Sequence, residues 1–194
     1  MVPLFIWRLQ SAWPPSWMIF PVWLVASFLL HRDTPKSLGW RADNLWPATK
    51  QAASVFAVLV LILITVALPL HAWGNSPLPA FSFRRLWFYF TFCLLQQVAL
   101  QSFLNNRLIS LLQNRLVSSA LAGLIFGACH WPNPVLIPVT AVGGAFTAWL
   151  FARNRNIIPL AVGQALLGTF LWLLFPVEWH HRMRVGPGFY EFHP

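Results

Sequence analysis

Four amides and one imidazole interrupt the apolar runs of this chain at regular spacing. Gln96, Gln97 and Gln101 lie in LLQQVALQSFLNNRL (Leu94–Leu108), His130 follows Phe126 by four residues, and Gln164 opens QALLG (Gln164–Gly168). Gln97 and Gln101 are one helical turn apart, as are Phe126 and His130, so each pair shares a helix face. A carboxamide donates and accepts hydrogen bonds. It can orient a water or support an oxyanion, but it cannot take a proton from that water. His130 is the one member of the set that titrates near neutrality, and so the one candidate general base or axial haem ligand. Buried and unpaired, each group costs roughly a few kcal/mol. Such groups are therefore expected to face one another or a wet cavity. Three readings stay open at this level: an amide network that fixes helix register, a binding cavity, and a site that retains catalysis.

The surroundings define the elements that must carry these groups. Of 194 residues 58% are hydrophobic and 9% charged, with 12 Trp and 17 Phe, against about 25% charged in a soluble domain. The apolar residues form long runs free of Asp, Glu, Lys and Arg, as bilayer-spanning helices of about 20 residues require. The longest, 116–152, is cut by WPNP (Trp131–Pro134), where proline disfavours helix in the preceding residue. The expectation is an all-α, polytopic membrane bundle in one domain. Its six spans lie near 13–31, 52–73, 86–106, 116–131, 135–152 and 157–176, and a polar tail follows at 177–194. GNSPLP (Gly74–Pro79) reads as a turn.

The formal charge of +9 is spread between apolar runs, which reads as topology signal and excludes a nucleic-acid stripe. Arg32, Lys36, Arg41, Lys50, Arg107, Arg115, Arg153 and Arg155 fall on one side, and Arg8, Arg84, Arg85, Arg182 and Arg184 on the other. That split favours termini outside the cytoplasm. Small residues four apart (Gly123 and Gly127, Ala141 and Ala145, Gly144 and Ala148, Ala161 and Ala165) predict that the last three spans form the tight centre, with the earlier ones facing lipid. Cys93 and Cys129 read as reduced packing residues, Asn133 as a turn residue and Trp131 as an interface anchor. The tail histidines His180, His181 and His193 show no metal-ligand spacing and read as a surface flap.

The order of these motifs resembles the CAAX-processing and bacteriocin-processing (CPBP, Abi) intramembrane endopeptidases. That family carries Glu-Glu-x-x-x-Arg, then Phe-x-x-x-His, then His-x-x-x-Asn/Asp two spans later. Here the first becomes QQVALQ (Gln96–Gln101), the second is intact in FGACH (Phe126–His130), and the third falls on QALLG (Gln164–Gly168). SLGWRADN (Ser37–Asn44), the Pro-Asn after His130 and ARNRNIIPLAVGQALLG (Ala152–Gly168) extend the likeness over roughly residues 37–176.

The resemblance implies an endopeptidase in which the first glutamate activates water, helped by histidines and an asparagine at the oxyanion. In this chain Gln96, Gln97, Gln101 and Gln164 stand at charged or titrating positions, and only Phe126 and His130 keep the family's letters. The expected function is therefore a catalytically degenerate homologue. It would bind a membrane protein complex or membrane-anchored peptide through the inherited polar cavity, as an accessory subunit, assembly factor or immunity-type protein. One alternative is an active endopeptidase relying on His130; another is a pigment- or haem-associated subunit with His130 as axial ligand. No cofactor is expected for the first two, and amides make poor ligands for Zn²⁺. Family habit places the chain in a bacterial inner membrane.

Overall fold

Proline shapes the beginnings and ends of most helices. The computed structural model describes residues 4–9, 12–69 and 83–191, all helix, turn or loop without a strand. A short helical stretch, Phe5–Leu9, and a 3-10 turn at Pro14–Met18 precede α1 (Ile19–Leu30). The Pro14-Pro15 pair delays regular helix to Ile19, six residues later than the apolar run suggests. Helix α2 (Leu45–Ala67) starts seven residues before the expected span, because Pro47 in its first turn costs no intrahelical bond. The turn expected at Gly74–Pro79 lies outside the described residues.

The third span is a composite column. Helix α3 (Phe83–Gln97) runs into a π-helical segment, Val98–Asn105, and then into α4 (Asn106–Leu112). Asn114 caps α5 (Arg115–Ala128) by accepting from the amides of Leu116 and Val117. After the Trp131–Pro134 corner come α6 (Leu136–Asn154) and α7 (Ile158–Leu174), then two short helices, α8 (Val177–His180) and α9 (Pro187–Tyr190). Helices thus stand at all six expected places. Among the described residues only α2 and α6 qualify as spans by length and hydropathy; α1, α5 and α7 are apolar but shorter.

Helices α5 and α6 make the most extensive contact. A Cβ on Gly123 would lie 2.4 Å from the Ala141 carbonyl, and one on Gly127 would lie 2.7 Å from the Ala141 Cβ. The small-residue pattern is therefore the contact surface. Helix α7, by contrast, packs mainly on α2 and α3. Ala52, Phe56, Leu59 and Leu63 of α2 belong to the main core with Leu160, Leu167 and Leu171 of α7. The second span still faces outward over much of its surface, with Val58, Leu61, Ile62 and Val66 exposed, while its opposite face packs on α7. Phe56 lies where a side chain on Gly163 would sit, 2.0 Å from its Cβ position, so glycine lets α2 seat an aromatic against α7.

Polar bonds gather the basic loops at one end. Ser102 donates to Leu38 O (2.6 Å), Asn106 to Ser37 O (3.0 Å) and Asn156 to Arg41 O (2.8 Å). Arg107 pairs with Asp33 at 2.5 Å, and Ile157 N donates to Gly39 O. At the other end Gly186 N donates to Trp131 O, and a Cβ on Gly186 would meet Ile6, so the segment around Gly186 lies between Ile6 and the WPNP corner. The tail is no surface flap: His180 is fully buried, its ring 4.9 Å from that of Trp172. Asn133 explains why. Its Oδ1 accepts from Val135 N and Leu136 N to start α6, while Nδ2 donates to the carbonyls of His180 and Arg184. His193 lies outside the described residues.

Candidate functional site

The α3–α7 interface places the first glutamines. α3 turns Tyr89, Cys93, Gln96 and Gln97 toward α7 at helical spacing. Gln97 is buried, with Gln96 and Gln164 half-buried beside it. Gln97 Nε2 donates to Gln164 Oε1 (2.7 Å), and Gln164 Nε2 donates onward to Gln96 Oε1 (2.6 Å). Gln164 thus bridges two adjacent residues of α3. One turn further along α7, a Cβ on Gly168 would lie 1.9 Å from the Tyr89 hydroxyl. That hydroxyl fills the space into which a side chain at 168 would project.

The π segment extends the polar strip toward α6. Gln101, Ser102 and Asn105 on it are wholly buried. Gln101 Nε2 donates to Thr147 Oγ1 (3.1 Å), and Asn105 Nδ2 donates to Gln101 Oε1 (3.1 Å) and to Ala148 O (2.9 Å). Gln97 Oε1 and Asn105 Oδ1 are buried with no hydrogen-bond partner among the described residues. Wide i→i+5 turns occur often at functional positions in helices. This one aims three consecutive turns of amide inward.

His130 has partners of its own. Its Nδ1 lies 2.7 Å from Phe126 O and 3.2 Å from Thr140 Oγ1. The Phe126 ring meets the imidazole edge-on, with centroids 4.8 Å apart. A carbonyl only accepts, so Nδ1 carries the proton and Nε2 keeps the lone pair in the neutral ring. Phe-x-x-x-His is therefore an orienting device: the backbone and ring of Phe126 fix one imidazole tautomer. No hydrogen bond among the described residues joins His130 to Gln96, Gln97, Gln101 or Gln164. Hydrogen bonds join the amides of α3 and α7, as expected, whereas the bonds of His130 go to Phe126 and Thr140.

Chemically, the amide set can bind, orient and fasten, and it contains no proton acceptor. Among the described residues no group of three His, Cys, Asp or Glu side chains converges as a metal site. Sequence reasoning passed over Tyr89, Asn105, Thr140 and Thr147. Asn105 was within reach, since Gln97, Gln101 and Asn105 recur every four residues. The threonines come from another helix and carry no sequence signal of their own.

No curated protein and no solved structure matches the chain significantly. The family described as Rce1-like type II CAAX prenyl endopeptidase matches residues 5–170, a stretch running from the N-terminal turn to just past Gly168 and so including every motif position above. An all-helical membrane framework, with the motif residues on α3 and the π segment, at the end of α5 and on α7, belongs with that match: this chain is a member of the Rce1-like type II CAAX prenyl endopeptidase family.

Proposed function

We propose that this chain is a non-catalytic member of its family that binds a membrane-embedded partner or membrane-anchored peptide on the inherited helix framework. One observation carries the reading. The residues at the family's glutamate positions are glutamines, and they are hydrogen-bonded to each other through Gln164, the residue at the second histidine position. Hydrolysis needs a group that exchanges a proton near working pH. This set has none, and its hydrogen-bonding capacity is largely spent on fastening α3 to α7. Half-buried Gln96 and Gln164 leave an amide edge for a partner's polar backbone. The gathering of eight basic residues at one end, opposite the termini, supports an orientation with both termini outside the cytoplasm.

The experiment is extraction from the native membrane in mild detergent, followed by identification of whatever remains bound in stoichiometric amount. A fixed membrane protein supports the reading. A clean monomer that cleaves membrane-anchored peptides, with cleavage lost in His130→Ala, would replace it. That second reading draws on the Nε2 lone pair, which the Phe126 carbonyl leaves free to act as a base. An absorption band in the visible would point instead to a haem or pigment on the same nitrogen.

A further inference from the structure

Helices α5 and α6 leave an apolar groove of about 280 Å³ on their outer surface, lined by Leu116, Ser119, Ala120, Ala145, Phe146 and Trp149. The Ser119 hydroxyl is turned back onto Arg115 O (2.7 Å), so the lining offers little polarity. Leu116 is 67% exposed and Phe146 44%, which opens the groove to the surroundings of the bundle. The two helices are antiparallel, so the start of α5 and the end of α6 frame the same end of it. Arg115 stands there on one side and Arg153 on the other, both exposed, with the Arg153 guanidinium 4.8 Å from the centre of the Trp149 ring.

Arg115 sits awkwardly for a residue serving only its own helix. A cation at a helix N-terminus opposes the helix dipole. The chain has four acidic residues in all. Asp33 and Asp43 are paired with Arg107 and Arg41. Glu178 and Glu191 follow α7, at the opposite end of the bundle. Among the described residues no carboxylate pairs with Arg115 or Arg153, which leaves both guanidiniums available to an anion from outside.

We infer that this groove is a binding site for an anionic phospholipid, with the headgroup phosphate between Arg115 and Arg153 and an acyl chain along Ala120, Ala145 and Phe146. The surface charge, the aromatic at the headgroup level and the apolar channel beneath it match the three parts of such a lipid. The site is separate from the glutamine network and does not depend on the function proposed above.

Native mass spectrometry of the full chain in detergent, with phosphatidylglycerol or phosphatidylcholine of equal chain length added, tests it. Retention of phosphatidylglycerol should exceed that of phosphatidylcholine by roughly tenfold, the weight of one to two basic residues at an anionic surface. Arg115→Gln with Arg153→Gln should bring the two lipids to parity. Arg32→Gln with Lys36→Gln, which removes equal charge from the same end, should leave the preference unchanged. Ala120→Phe keeps both arginines and fills the groove, and should lower retention of both lipids. Equal retention by the parent protein, an equal loss in the Arg32/Lys36 variant, or full retention by Ala120→Phe would each overturn the site.

Discussion

The hydroxyl of Tyr89 on α3 occupies the space in front of Gly168 on α7, 1.9 Å from where a Cβ would be. By its resemblance to the family's His-x-x-x-Asn/Asp motif, Gly168 falls at the Asn/Asp position, and the phenol fills the space that such a side chain would need. Gly168→Asn should therefore lower stability by about 1–3 kcal/mol, the usual cost of overpacking. Tyr89→Ala should relieve the clash in the double variant. Thermal unfolding in detergent reads both; an unperturbed Gly168→Asn would show that the two helices have room to part.

Gln164 accepts one hydrogen bond and donates another, so Gln164→Leu should cost more than Gln97→Leu. Interhelical bonds in membranes are worth about 0.6–2 kcal/mol each. A double-mutant cycle between positions 97 and 164 should return a coupling in that range. Additive losses would remove the network as the fastening between α3 and α7.

Restoring the family's letters in part should not restore chemistry. Gln96→Glu with Gln97→Glu puts carboxylates beside Gln164 and one turn from Gln101, an uncharged amide where the family motif carries Arg. Position 97 is almost wholly buried, and an unpaired charge there is strongly unfavourable. The expected result is a less stable protein that cleaves no membrane-anchored peptide. Robust cleavage would sink the non-catalytic reading.

Much of this was legible in the sequence. Charge-free runs located a helix at each of the six expected places, and the four-residue spacing of glycine and alanine located the α5–α6 contact. Two things were not. The seating of Phe56 against Gly163 joins residues more than 100 positions apart, and periodicity within α2 alone reads the same whether its neighbour is lipid or protein. His180 sits among polar letters that suggest a surface, yet the carbonyls around it are bound by Asn133, a residue whose local role as a helix cap already accounted for its presence. In the site, spacing placed Gln97 and Gln101 on one face correctly, but the sequence could not show that the His130 ring is committed to Phe126 and Thr140.

Asn133→Ala removes the start of α6 and the anchor of the tail together. Loss of a cap costs about 1 kcal/mol, and the two bonds to the carbonyls of His180 and Arg184 contribute about as much again. Limited trypsin digestion should then cut at Arg182 and Arg184 well before the rest of the chain. Unchanged digestion would mean that other contacts hold the tail.

Acid should loosen the same corner. Burial pushes the His180 imidazole below its ordinary value of 6.5, and the backbone at Phe175 and His180, with Glu178 after them, offsets this only in part. The unfolded chain then binds the proton more readily than the folded one, so this contribution is intact above pH 6.5 and is lost as pH falls toward the lower folded value. A melting temperature that declines below pH 6.5, with a shallower decline in His180→Phe, is the expected result. Identical profiles would assign the titration elsewhere.

Between Val98 and Asn105 the chain is constrained in length more than in identity. Each i→i+5 ring holds one residue more than the α-helical ring it replaces. An in-frame loss of one codon there removes that extra residue, and the column would have to close as continuous α-helix, which changes the direction of the side chains within the stretch. Gln101 and Asn105, which reach Thr147 and Ala148 from within it, would be re-aimed together. Point substitutions along this stretch should thus be tolerated more often than single-residue gaps, a pattern that saturation and deletion libraries of the gene can read directly.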